Sequence, residues 1–308
     1  MSYIAPHCSS VKRPPFQAST IVKSEMLNLH CGDVTVHQAG TGGKQYHIAC
    51  GKGDLAEYVL LPGDPDRVAK IVKFWDSAKE VSSHREFRSF TGTYKDVPIS
   101  VLSTGIGPAC MAIAVNEAAC VGARTFIRVG STGAIQNDIA VGDVVISSVA
   151  VRLDCTSNCY VMPEYPAAAH YEVLLALSEA AENLDVKTYH VGVTATTADF
   201  YAGQSRVVAG GCLGQDGSLL PLLQRAGVLC FEMETATLYT LASLYGLRAA
   251  SVFVVFANRC TNEFRAGEGE ETAIRVANEA VKILNDWDRL REKSGKRWLF
   301  PSLMRSLR

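Results

Sequence analysis

The chain has 308 residues, 30 Lys and Arg against 31 Asp and Glu, a formal net charge of −1 and 48% hydrophobic residues. A chain this long buries roughly three quarters of its extended surface, which suits one α/β unit with decorated ends. Neutrality without a basic stripe excludes a nucleic-acid binder, and no apolar run approaches the ~20 residues that cross a bilayer.

Residues 1–43 mix Pro, Ser, Gly and His without periodicity and read as an N-terminal extension with no apolar signal core. The domain proper is expected over 44–288. Tyr58–Leu61 and Ser100–Ser103 are short apolar runs that stop at glycine-containing loops. Ala109–Val121, rich in small residues, predicts a tightly packed helix. Thr125–Val129 and Asp143–Val151 are β-branched and predict buried strands. A helix follows over His170–Asn183, then strands at Lys187–Thr194 and Val228–Phe231. Leu238, Leu241, Ala242 and Tyr245 fall at helical spacing before Gly246. Ala249–Phe256 predicts a strand, and Ile274, Ala277, Val281 and Leu284 a final amphipathic helix. This alternation predicts one α/β domain, a central mixed β-sheet flanked by helices. The basic stretch 289–308 reads as a C-terminal extension. Ten cysteines, with Cys155 and Cys159 the only close pair, match neither zinc spacing nor a disulfide framework. Reduced thiols in a cytoplasmic protein are expected.

Three constellations carry chemistry. Gly63-Asp64-Pro65-Asp66-Arg67 follows a strand, and its backbone N–H groups and guanidinium can converge on an anion. Arg128 closes the predicted strand Thr125–Val129 beside a loop, Gly130-Ser131-Thr132-Gly133, that adds further donors. Arg85 is a third cation. Any one arginine alone is as readily a surface ion pair. Glu232 and Glu234 flank Met233; a carboxylate here accepts from two hydroxyls or stabilises a helix N-terminus, and only one of the two need face a ligand. Phe200, Gln204 and Arg206 can stack on a planar heterocycle and hydrogen-bond its edge, or form a polar loop over a core aromatic. Thr104-Gly105-Ile106-Gly107 does not begin a dinucleotide fingerprint, since Cys110 stands at the third glycine, and no P-loop lysine is present.

Leu61–Val68, Ser83–Phe87, Ser103–Gly107, Phe126–Ile135, Phe200–Arg206 and Phe231–Glu234 together resemble the nucleoside phosphorylase-I family, in family order from about Tyr46 to about Leu284. The resemblance implies that family's fold and a pentosyl transfer with inorganic phosphate as cosubstrate and no required cofactor. It gives Gly63, Arg67, Arg85, Arg128 and Ser131 to phosphate, with Arg85 supplied by a neighbouring subunit. It gives His47 (also the neighbour's, at the 5′ hydroxyl), Met233 and Glu234 to ribose. Phe200, Gln204, Arg206 and Phe256 line the base, and Arg206, Gln204 and Arg128 are the catalytic set. The stretch Val255–Arg259 lacks the acid that purine enzymes of the family use, so uridine is the expected substrate, with uracil and ribose 1-phosphate as products. A purine phosphorylase, a nucleosidase and a non-enzymatic nucleoside-binding protein are the alternatives. The resemblance also implies a cation between subunits through Glu86, where Cys110 replaces a serine ligand and is a poor donor to a hard ion. A homo-oligomer with its site shared across a dimer is expected, the extensions obstructing a hexamer.

Overall fold

The computed structural model describes residues 43–210 and 217–304; all of the expected N-terminal extension except Gly43 lies outside the described residues. The chain runs β1 (Tyr58–Pro62), α1 (Pro65–Val72), β2 (Ser77–His84), β3 (Phe87–Tyr94), β4 (Val97–Leu102) and α2 (Pro108–Val121). It continues through β5 (Thr125–Ala134), β6 (Val144–Leu153), β7 (Ala167–Ala168), α3 (Tyr171–Asn183), β8 (Tyr189–Thr197) and α4 (Leu219–Arg225). Then come β9 (Cys230–Glu232), α5 (Thr235–Leu244), β10 (Arg248–Asn258), β11 (Glu263–Phe264), α6 (Glu270–Ser294) and α7 (Pro301–Met304).

Alternation along the strands sorts their side chains between two helical layers. In β1, Leu60 packs with Val68 and Ile71 of α1 and with the apolar faces of α3 and α6. Its neighbours Val59 and Leu61 join Met111 and Val115 of α2 and Leu238 and Leu241 of α5 on the other face. The sheet is mixed, as expected: β1 pairs in parallel with β4 and β5, whereas β2, β3 and β4 form an antiparallel run. Beyond β5 the strands close on themselves, because β10 pairs with both β5 and β6, β6 with β8, β8 with β9, and β9 with β5. Ala134, Val145, Cys230, Phe253 and Val255 from these strands pack together.

The structure corrects the sequence reading at several places. Gly130–Gly133 is strand, not loop: β5 runs on to Ala134, held by β10 through Phe253↔Gly130 and Val254↔Ser131 and by β9 through Gly133↔Phe231. Pairing with distant strands outweighs the weak strand preference of glycine, and a Cβ on Gly130 would meet the Phe253 ring at 2.8 Å. The hairpin of β2 and β3 has no counterpart in the sequence reading; Arg85 stands at its turn with φ +54°. The division placed after Asp288 cuts α6, which continues to Ser294 with Leu290 buried. Beyond it Leu299 and Leu303 are also buried, and Leu299 is hydrogen-bonded to Tyr171. Charged neighbours on the outer face of α6 hide this continuation from a reading of composition.

Candidate active site

A cavity of about 1300 Å³ opens beyond the carboxyl ends of β1 and β4 and along the second half of β5, the usual ligand side of an open α/β sheet. The N-termini of α1, α2 and α5 all reach it, since Asp64 and Pro65, Gly105 and Ile106, and Met233 and Glu234 are among its lining residues. Converging helix starts bring positive dipole ends to the cavity, a setting that favours anions, although side chains already take the N–H groups of Asp66, Gly107, Glu234, Thr235 and Ala236. Gly105 permits the close approach needed here: its φ is +72°, and a Cβ would press to 2.7 Å from Glu86 Cγ.

Of the residues expected to hold phosphate, Gly63, Arg67, Arg128 and Ser131 line the cavity. Arg67 is fixed from behind: Nε donates to Glu270 Oε1 at 2.7 Å and Nη1 to the Val129 carbonyl at 3.1 Å. Nη2 makes no hydrogen bond among the described residues. Lys70 donates to the other oxygen of Glu270 at 2.6 Å. Burial opposes ionisation of Glu270, but the two cations outweigh it and hold its carboxyl below the ordinary range. Arg128 is 5% exposed and lies inside β5 rather than at its end. Its Nη2 donates to Glu234 Oε2, whereas Nε and Nη1 are buried with no hydrogen-bond partner among the described residues. Nε lies 3.5 Å from Glu232 Oε2 without bonding it.

The two glutamates divide their work. Glu232 accepts the N–H groups of Glu234 and Thr235 at 2.9 and 2.8 Å, and the Thr196 hydroxyl. It therefore secures the start of α5, although it too is among the lining residues. Burial pushes its carboxyl above the usual range, against the pull of Arg128 and helped by repulsion from Glu234. Glu234 takes the Gly107 N–H at 2.6 Å and Arg128, so it faces the cavity beside the partly exposed Met233.

On the far side Phe200, Gln204, Arg206 and Phe256 also line the cavity. The Arg206 guanidinium lies 4.4 Å from the Phe200 ring centroid, and its buried Nε has no hydrogen-bond partner among the described residues. Burial lowers the Arg206 pKa from the ordinary guanidinium value. Gln204 is buried, with its Nε2 donating to Thr197 Oγ1 at 3.2 Å. Arg259 grips this loop from below through the carbonyls of Gln204 and Ser205. Phe256 sits where the β10 register shifts between Val255 and Ala257, a bulge that turns its ring toward the cavity.

Two expected residues lie outside the cavity of their own chain. Arg85 is exposed, with Nη2 donating to Tyr46 Oη at 3.2 Å and its guanidinium 5.4 Å from the Tyr46 ring. His47 stacks edge-on against the same tyrosine at 4.9 Å. The two thus share one surface patch. Glu86 lines the cavity, and its Oε1 accepts from the Cys110 thiol at 3.4 Å. Burial and the Glu86 charge push that thiol up to about 11, so it stays protonated at neutral pH and does not suit a hard cation. Within one protomer these side chains do not fit the implied ion, and no step is assigned to it. Among the described residues no group of three or more His, Cys, Asp or Glu is placed to hold a metal.

The sequence reading missed Glu270, which lies 203 positions from the Arg67 it fixes, and the rim formed by Asn262, Glu263 and Phe264. Neither carries a local motif; only the fold brings them in.

Comparison with known proteins gives the chain its relatives. The uridine phosphorylase of Thermococcus kodakarensis is 58% identical over 262 residues, 85% of this chain and 94% of the relative. That of Escherichia coli (strain K12) is 42% identical over 243 residues, 78% and 94% of the two chains. A guanosine phosphorylase of Halorubrum lacusprofundi is 34% identical over 252 residues, 78% and 99% of the two chains. The family model described as the phosphorylase superfamily matches residues 57–286, most of the domain that builds the cavity. The chain belongs to the phosphorylase superfamily.

Proposed function

We propose that the protein has uridine phosphorylase activity: as a glycosyltransferase it moves the ribosyl group of uridine to inorganic phosphate, reversibly, giving uracil and α-D-ribose 1-phosphate. The observation that carries this reading is a cavity holding buried guanidinium nitrogens of Arg128 and Arg206 without partners among the described residues. Buried donors left unpaired cost stability unless a ligand supplies acceptors. Phosphate answers Arg128, Arg67 Nη2, Ser131 and the helix starts; the uracil carbonyls answer Arg206 and Gln204. Met233 and Glu234 hold the ribose between them. A phosphate oxygen forms the new bond to C1′ from the face opposite the base as the C1′–N1 bond breaks. Its electron pair leaves with uracil, which Arg206 and Gln204 stabilise as an anion until water protonates it. Catalysis is mostly positioning and electrostatics.

A purine substrate finds less support. Asn258 closes β10, and its amide is spent on the carbonyls of Gln136 and Ile139 while Oδ1 accepts the N–H groups of Cys260 and Thr261. The carboxylate on that side is Glu263, exposed at the rim.

The working unit in this reading is a cytoplasmic homodimer with shared sites, acting in nucleoside catabolism and pyrimidine salvage. Its support is the common surface patch of Arg85 and His47 outside their own cavity. No helix among the described residues is long and apolar enough to cross a membrane.

The test is uridine turnover with and without inorganic phosphate, with inosine run alongside. Phosphate-dependent cleavage of uridine but not inosine is the expected result. Cleavage of inosine instead overturns the base assignment, cleavage of uridine without phosphate overturns the anion site, and binding without turnover leaves a nucleoside carrier.

A further inference from the structure

We propose that Glu117 is a positioning residue for the 5′ hydroxyl of the nucleoside, acting through His47. This rests on the reading above, in which His47 meets that hydroxyl in a neighbouring copy's cavity. Glu117 lies in the last half of α2 with its side chain 14% exposed, 70 positions from His47. Its Oε2 accepts the His47 and Ile48 N–H groups at 3.0 and 2.9 Å. Its Oε1 lies 2.6 Å from His47 Nδ1.

The third contact sets the chemistry. A carboxylate has only lone pairs to offer, so Nδ1 carries the ring hydrogen. In the neutral ring Nε2 is then the acceptor, and it makes no hydrogen bond among the described residues. Tyr46 holds the ring edge-on at 4.9 Å and Phe87 at 6.3 Å, while His84 Nδ1 donates to the His47 carbonyl at 2.9 Å. The ring is fixed in position and in tautomer, presenting one lone pair to a hydroxyl hydrogen. A side chain that merely tied down the backbone would need the two N–H contacts alone. Glutamine at 117 turns an amide N–H toward Nδ1, which drives the ring hydrogen to Nε2 and removes that acceptor.

The measurement is kcat/KM for uridine divided by kcat/KM for 5′-deoxyuridine, on one preparation of the full chain, so that the active fraction cancels. His47→Ala is expected to lower this ratio about three- to tenfold, the worth of one neutral hydrogen bond. Glu117→Gln lowers it similarly, Glu117→Asp restores part of it, and the double variant falls no further than His47→Ala. A wild-type ratio in Glu117→Gln beside a lowered ratio in His47→Ala overturns the proposal and spares the reading of His47. A wild-type ratio in His47→Ala removes both. A double variant below His47→Ala also overturns it, because Glu117 then acts by another route. Nitrogen NMR of labelled histidine in the unaltered enzyme gives a check free of any folding defect: His47 shows the Nδ1–H tautomer, and an Nε2–H tautomer overturns the proposal.

Discussion

Strand β10 begins at one buried charge cluster and ends beside another, and the two are built on opposite plans. At its start every nitrogen of Arg248 is hydrogen-bonded: Nε to Thr125 at 3.0 Å, Nη1 to Asp288 and Glu172 at 2.8 and 3.1 Å, and Nη2 to Asp288 at 2.7 Å. Arg291 completes the cluster through Glu172 at 3.0 Å and through Asp288, and Tyr58 donates to Asp288 at 2.5 Å. Across the sheet Arg128 and Arg206 keep buried nitrogens that nothing among the described residues satisfies. A closed network ties α3, β10 and α6 together; an open one waits for a ligand. Buried charge marks a functional site where its bonding is incomplete.

The two clusters are expected to respond to mutation in opposite ways. Glu172→Ala leaves Arg248 and Arg291 to share Asp288 alone, and the donors that lose their acceptor cost about 1–3 kcal/mol of stability. Denaturant unfolding is expected to show that loss, while kcat/KM per folded molecule stays within about twofold, the range of a remote surface change. Arg206→Ala reverses the pattern. Turnover of uridine falls roughly hundred- to thousand-fold, as when one donor to a developing anion is removed, with phosphate binding retained by calorimetry and the unfolding midpoint little moved. Near-normal turnover would remove the leaving-group role of Arg206.

A smaller effect sharpens the contrast through pH. Burial opposes ionisation of Glu172 and Asp288, but the guanidiniums outweigh it and hold both carboxyls below the usual range. Their stabilisation is therefore full above the unfolded pKa, about 4, and is lost as pH falls through the lower folded values. Glu232 has the opposite sign, because burial raises it. Its contribution is full below the unfolded pKa and is lost as pH rises through the raised folded value. Stability followed from neutral pH into acid should fall less steeply in Glu172→Gln than in the unaltered chain and more steeply in Glu232→Gln. Equal slopes would erase the distinction.

What the sequence made legible follows from range. Val59, Leu60 and Leu61 announce a strand buried on both faces, and the glycines after β1 and β4 announce turns beside helix starts; both signals are local. Phe200, Gln204 and Arg206 are legible for the same reason, three chemistries on one short loop. Gly130–Gly133 reads as loop because its pairing partners lie about 100 residues downstream, in β9 and β10. The residues alone narrow Glu232 and Glu234 to one ligand-facing carboxylate and only the resemblance picks Glu234, since the choice depends on where α5 starts and on Arg128 arriving from β5. The stretch after Asp288 misleads because basic residues alternate there with Leu290 and Leu299, whose burial needs α3 and the strands beneath.

The bulge at Phe256 has a consequence for how such a pocket changes over time. One inserted residue inverts the inward and outward assignment of everything after it. Val252 and Val254 belong to the layer under α6, and Phe253 and Val255 pack among the closed strands. Phe256, at the shift, packs in part against the layer under α6 and also lines the cavity, as Ala257 does. The end of this strand therefore serves the core and the ligand at once. A change of ring at 256 can reshape the pocket only as far as the core beside it gives way, while pairing before the shift holds the register.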